Sequence, residues 1–159
     1  MAARALSGRY SHHESGAGNS ASSSGMKVFI VEDSPDVRER LLDIVRDVEG
    51  MEVVGDAATF DDAIRGILAT LPQVAILDVR LAGGRGTGID VLQHVMAHLP
   101  ALKAIVLSNF ATPQYVKASI ETGARYFLDK TVEFERIGDI LREFQAEETR
   151  ETPPDTPRR

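Results

Sequence analysis

The chain has 159 residues, a formal net charge of -6 and no cysteine. Disulfides, thiol catalysis and cysteine-ligated metal are therefore excluded, and general nucleic-acid binding is disfavoured. Hydrophobic residues make up 43% and charged residues 26%, which suits one globular core. The apolar runs are far shorter than the ~18 residues of a membrane span.

Residues 1–25 hold seven Ser, four Gly and five Ala without an apolar block, and are expected to be a flexible leader lacking a signal peptide. His12 and His13 fall in that leader and are expected to bind nothing. Lys27–Val31 reads as the first strand. Ser34-Pro35 caps the first helix, which carries Leu41, Leu42, Val45 and Val48 on one stripe and stops at Gly50. Met51–Ala57 is a second strand. Thr59, with Asp62 three positions on, opens the next helix in a variant of the capping box. Gln73–Leu77 is a third strand, apolar on both faces as a central parallel strand should be. A glycine-rich loop follows, then a helix marked by Ile89, Leu92, Val95, Met96 and Leu99. Leu102–Leu107 is the fourth strand, Thr112-Pro113 caps the fourth helix, and Gly123 ends it. Arg125–Leu128 is the fifth strand. Phe134, Ile137, Leu141 and Phe144 form the buried stripe of the last helix. From Glu147 to Arg159 the mixture of charge and proline reads as a flexible tail.

Strict alternation of strand and helix with short connections predicts an α/β fold, a doubly wound five-stranded parallel sheet with five helices. Ligands in such sheets bind beyond the carboxyl ends of the strands. Glu32 and Asp33 follow the first strand, Asp78 the third, Ser108 the fourth and Lys130 the fifth. Two unit charges about 4 Å apart repel by about 4 kcal/mol at an effective dielectric near ~20. A divalent cation relieves that repulsion, and an all-oxygen, carboxylate-rich site suits Mg²⁺, with Mn²⁺ as an alternative. The ammonium of Lys130 and the hydroxyl of Ser108 complete a cradle for a phosphoryl group.

The segments FIVEDS (Phe29–Ser34), AILDVRL (Ala75–Leu81), IVLSN (Ile105–Asn109) and GARYFLDK (Gly123–Lys130) resemble the receiver domain of two-component response regulators. The resemblance runs from Met26 to about Phe144. It implies a flavodoxin-like, CheY-like sheet of order 2-1-3-4-5, with the receiver over residues 26–146. By that likeness Asp78 is the phospho-acceptor, Asp33 ligates Mg²⁺ directly, Glu32 acts largely through water, and the backbone carbonyl of Arg80 adds a ligand. Ser108 would hydrogen-bond the attached phosphoryl group and Lys130 would pair with it. Ser108 and Phe127 would form the switch, with Tyr126 facing the opposite side of the sheet. Arg80 and Phe110 stand at positions that influence phosphoryl loss in that family.

The resemblance implies a cytoplasmic, single-domain response regulator. It would be phosphorylated by a histidine kinase or phosphotransfer protein and signal to a downstream protein by contact. It implies no enzyme beyond assisting its own phosphorylation and slow dephosphorylation, no direct nucleic-acid binding and no membrane. Self-association through the surface of helix 4, strand 5 and helix 5 stays open. This sequence departs from the family pattern at Asn109, where a very small residue is usual, at Thr131 and Ala82, where proline is usual, and in a longer loop over Gly83–Gly88. Two rival readings remain: a non-phosphorylated interaction module, and a Mg²⁺-dependent phosphatase using an aspartyl-phosphate. The glycine loop lacks nucleotide-binding spacing, and His94 with His98 is expected to be a surface pair.

Overall fold

The computed structural model describes residues 25–151, in which five strands and five helices alternate along the chain. The expected leader, with His12 and His13, and residues 152–159 of the expected tail lie outside the described residues. The strands are β1 (Met26–Val31), β2 (Met51–Ala57), β3 (Val74–Asp78), β4 (Lys103–Ser108) and β5 (Tyr126–Asp129). All pair in parallel in the order β2-β1-β3-β4-β5, as expected. The helices are α1 (Pro35–Asp47), α2 (Phe60–Thr70), α3 (Gly88–Met96), α4 (Pro113–Thr122) and α5 (Arg136–Glu151).

Local chemistry sets the helix ends. Ser34, Thr59, Thr87 and Thr112 each accept a backbone N–H of the first turn of α1, α2, α3 and α4, respectively. Thr87 and Asp90 make the reciprocal capping box, which sequence reading placed at Thr59 and Asp62. There Thr59 accepts the Asp62 N–H, while the Asp62 carboxylate takes Arg65 instead. Gly123 closes α4 in the left-handed region at φ 115°.

Period-2 alternation splits the strands between two cores. Val28, Ile30, Val74, Ile76, Ile105, Leu107 and Leu128 face α1 and α5, against Leu41, Val45, Ile137, Leu141 and Phe144. Phe29, Val31, Ala75, Leu77, Ala104 and Val106 face the other way, against Ile67, Val91, Leu92 and Val95 of α2 and α3. Tyr126 packs in the first core and Phe127 against the second. The Phe29 ring fits because Gly55 and Gly66 flank it. A Cβ on either would lie 2.7 and 2.5 Å, respectively, from ring carbons.

Several boundaries differ from the sequence expectation. β3, β4 and β5 each begin and end one residue later than read, because Asp78, Ser108 and Asp129 still pair with a neighbouring strand. Gln73 instead caps the start of the sheet, its side-chain oxygen accepting the Lys27 N–H at 2.8 Å. α3 stops at Met96, before Leu99. Phe134 is buried but precedes α5, which continues to Glu151. The boundary expected at residue 147 thus falls inside a helix, where Glu147 pairs with Arg125 at 2.7 Å and Lys103 at 3.3 Å.

The start of α3 is pressed onto β3. Gly88 donates to the Val79 carbonyl at 2.8 Å, and a Cβ there would overlap the backbone carbonyl of Asp78. Gly88→Ala therefore forces β3 and α3 apart and is expected to cost about 3 kcal/mol in urea unfolding. Ala at Gly84, which has open space but a φ of 64°, is expected to cost about 1 kcal/mol from backbone conformation alone. Equal costs would mean that the close approach does not matter.

Candidate functional site

The carboxyl ends of β1, β3 and β5 bring the acidic residues and the lysine together. Glu32 follows the Val31–Leu77 rung, and Asp78 is the last residue of β3. Glu32, Asp78 and Lys130 share the parity of Ile30, Ile76 and Leu128, so all three side chains emerge on the α1/α5 side of the sheet. Oxygens of Glu32, Asp33 and Asp78 all lie within 4.8 Å of one another. Lys130 Nζ bridges two of them, 2.6 Å from Glu32 Oε2 and 3.0 Å from Asp78 Oδ2.

This cluster is largely withdrawn from water. Glu32 is 1% exposed, Asp78 7%, and the Lys130 side chain 7%. Burial pushes the Glu32 carboxyl above its ordinary value, the Asp78 charge pushes it the same way, and the Lys130 ammonium pulls it back. Glu32 Oε1 also accepts the Ser34 N–H at 3.2 Å, so both its oxygens are engaged. Asp33 is left as the most accessible of the three carboxylates. The donors are all oxygen, closely spaced and carry three formal negative charges against one ammonium. That set fits a hard divalent cation such as Mg²⁺.

Ser108 is buried, and its hydroxyl is committed elsewhere. It accepts the Phe110 N–H at 2.9 Å and donates to the Phe110 carbonyl at 3.2 Å. It lies on the sheet face opposite Glu32 and Asp78, with the parity of Val106, which pairs with Phe127 across β4 and β5. The two residues expected to form a switch are thus on one side of the sheet. Arg80 is exposed, and its guanidinium stacks over the Phe110 ring.

At Thr131 the chain makes a turn of its own. Asp129 Oδ1 accepts both the backbone N–H of Thr131 at 2.8 Å and its hydroxyl at 2.6 Å. These bonds hold the Asp129 carboxyl below its ordinary value. No peptide bond among the described residues is cis. The hydroxyl and N–H of Thr131 thus fix the loop carrying Lys130, at the position where the resemblance led to the expectation of proline. Asn109 is exposed. His94 and His98 are exposed with ring centroids 5.8 Å apart, and belong to none of the three-residue metal-ligand groups found among the described residues.

Sequence reading did not anticipate the Arg80–Phe110 stack, the Asp129–Thr131 turn or the Gly88 contact. The stack joins side chains of two different loops, which no local pattern pairs, and the turn is a side-chain-to-backbone bond two residues on, for which Asp129 before Thr131 was the available signal. The Gly88 contact had a signal in the third-strand loop, where Gly88 directly precedes the apolar stripe of α3.

The family model described as the response regulator receiver domain matches residues 28–142, and the chain belongs to that family. The DNA-binding transcriptional activator DevR/DosR of Mycobacterium tuberculosis is 31% identical over 121 residues, covering 76% of this chain and 55% of that protein. The transcriptional regulatory protein DesR of Bacillus subtilis is 28% identical over 117 residues, 74% of this chain and 57% of that protein. The chain spans about half the length of these curated relatives. Among solved structures, the signal receiver domain of the response regulator NarL from Mycobacterium tuberculosis matches at a TM-score of 0.66 and 25% identity, over 77% of this chain and 98% of that one. The response regulator domain of Thermotoga maritima CheB matches in fold at a TM-score of 0.65 and 23% identity, over 82% of this chain and 99% of that one. No helix among the described residues is long and apolar enough to cross a membrane.

Crowded carboxylates make the site costly without added positive charge. Asp78→Asn removes one charge, and its amide oxygen can still accept from Lys130. The metal-free variant is expected to be more stable than wild type at neutral pH by about 1 kcal/mol, measured by urea unfolding in EDTA. In wild type the folded Glu32 holds a proton above the ordinary value of 4.5, in a window where the unfolded chain has lost it. Stability therefore falls as pH rises through that window. The fall is expected to be smaller in Asp78→Asn, because one cause of the raised value is gone. A variant less stable at every pH would show that the three acids do not repel.

Proposed function

We propose that the protein works as a phosphorylation-dependent switch in which Asp78 receives a phosphoryl group from phosphohistidine on a histidine kinase or phosphotransfer protein. The observation that carries this reading is the ammonium of Lys130 bridging Asp78 and Glu32 beside the accessible carboxylate of Asp33. Asp78 Oδ attacks phosphorus in line, an O–P bond forms as the N–P bond breaks, and the histidine nitrogen leaves with its electron pair to take up a proton. Mg²⁺ held by Asp33, Asp78 and the Arg80 backbone carbonyl, with Glu32 acting through water, would neutralise charge on the transferred oxygens.

The chain's own residues do the rest by positioning. Lys130 is already at hydrogen-bond distance from Asp78 Oδ2 and stays with the acyl phosphate, where its charge meets the equatorial oxygens. Ser108 turns to donate its hydroxyl to the phosphoryl group. Phe127, on the same face of the sheet and half-buried, moves into the space that Ser108 vacates. That links the chemistry to the surface of α4, β5 and α5, which meets a downstream protein or a second copy. The site accepts a phosphoryl group and loses it slowly rather than turning over a substrate.

The reading places the protein in the cytoplasm with output by protein contact. DNA binding by relatives such as DevR/DosR is a property of proteins about twice the matched length, and the net charge of -6 favours no nucleic-acid contact by this chain. Intact mass after incubation with acetyl phosphate and Mg²⁺ tests the assignment. One added phosphoryl group is expected in wild type and none in Asp78→Asn. Labelling retained in Asp78→Asn would move the acceptor to another residue.

A further inference from the structure

Every polar group of Glu32 is engaged. Its N–H donates to the Ala57 carbonyl of β2 at 2.9 Å. One carboxylate oxygen accepts from Lys130 Nζ and the other from the Ser34 N–H. Its carbonyl accepts Nη1 of Arg38, from α1, at 3.2 Å. That last contact bears on Asp33. The Glu32 carbonyl lies in the rigid peptide plane joining Glu32 to Asp33, so whatever fixes the carbonyl also fixes the direction in which the chain presents Asp33.

The same guanidinium reaches toward β2, where Nε lies 3.6 Å from Asp56 Oδ1. Asp56 pairs in register with Ile30, two residues before Glu32. The Arg38 side chain is 26% exposed and that of Asp56 45%, so the pair stands at the rim of the acidic cluster. Among the described residues Arg38 forms an ion pair with Asp56 and with none of the three clustered acids.

We infer that Arg38 is a positioning residue for the cation site. Its guanidinium, oriented by Asp56, holds the Glu32–Asp33 peptide so that the Asp33 carboxylate stays within reach of Asp78. This rests on the reading of the three acids as a Mg²⁺ site, and adds to that site a residue that touches none of their carboxylates.

A cation beside acidic groups has two opposed effects. Its charge reduces the local negative potential and weakens divalent-cation binding. Its hydrogen bond prearranges a ligand and strengthens binding. Asp56 cancels much of the first effect at a distance, whereas the second is a direct contact with the Asp33 peptide. The task also suits arginine in particular. The planar fork directs Nη1 to the carbonyl while Nε faces Asp56, an arrangement that a single ammonium cannot reproduce.

The test is the Mg²⁺ affinity of the unphosphorylated full chain, read from the Asp33 amide shift with charge effects screened in about 0.5 M KCl. Arg38→Ala is expected to weaken binding about tenfold, the low end for partners that orient metal ligands, although it removes a positive charge. Arg38→Lys keeps the charge and the aliphatic stem, and should lose most of the same affinity. It carries the test alone if Arg38→Ala fails to fold. Asp56→Ala should weaken binding by a smaller factor in wild type and change nothing further in Arg38→Lys, because it acts through the guanidinium. In metal-free spectra of Arg38→Lys, the Asp33 and Ser34 amides should shift while those of Asp78 and Lys130 stay in place.

Unchanged or tighter Mg²⁺ binding in Arg38→Lys, or a further loss when Asp56→Ala is added to it, would overturn the role of Arg38 and leave the cation site standing. So would an Asp33 amide that does not move in metal-free Arg38→Lys. No saturable response in wild type would overturn the site reading and the role of Arg38 with it.

Discussion

Three carboxylates within 4.8 Å of one another are a cost that the sheet must offset before it can be used. One ammonium does part of this. Lys130, from the end of β5, reaches Glu32 at the end of β1 and Asp78 at the end of β3, and so ties three strands across the top of the sheet. Much around it follows from that need. Ser34 gives Glu32 a second partner, and Thr131 with Asp129 fixes the loop from which Lys130 leaves. One ammonium against three acids still leaves net negative charge, concentrated where Asp33 is most accessible. The same deficit that strains the resting protein is one that a bound divalent cation would offset.

The two faces of the sheet divide the proposed work. Glu32, Asp78 and Lys130 emerge on the α1/α5 side, where charge is gathered and balanced. Ser108 and Phe127 belong to the opposite face, beside α3 and α4, where space rather than charge is at issue. In the proposed function a group attached to Asp78 would lie at the seam, met by an ammonium from one side and a hydroxyl from the other. Because the Ser108 hydroxyl is already paired with Phe110, its recruitment exchanges one set of hydrogen bonds for another. Such an exchange is close to balanced, and a modest new charge can tip it.

Much of this was legible in the sequence. The alternation of β-branched runs with helical stripes predicted the doubly wound parallel sheet, the receiver resemblance implied its order, and the acids and lysine were found because chemistry in such sheets gathers at strand ends. Period 2 carried further than the strands themselves, since it correctly sent Tyr126 and Phe127 to opposite cores. What escaped were contacts made by loops. Arg80 meets Phe110, and Thr131 meets Asp129, through side-chain choices that no periodicity records. The strand boundaries slipped by one residue because Asp78, Ser108 and Asp129 are polar and yet remain in the ladder. Apolar patterning ends a strand where the core ends, whereas hydrogen bonding ends it one rung later. The length of α5 was missed for a similar reason. Glu147 looks like tail composition, but its partners Lys103 and Arg125 come from strands far away in sequence.

The central claim is that an acidic cluster, undercharged by one lysine, is completed by a divalent cation. A Mg²⁺ titration of the unphosphorylated protein, read both by the amide shifts of Asp33 and Asp78 and by melting temperature, tests it most directly. The account predicts saturable shifts centred on these residues and a parallel rise in melting temperature, both abolished in Asp33→Asn. Shifts scattered over the surface with no change in melting temperature, or a full response in Asp33→Asn, would contradict it.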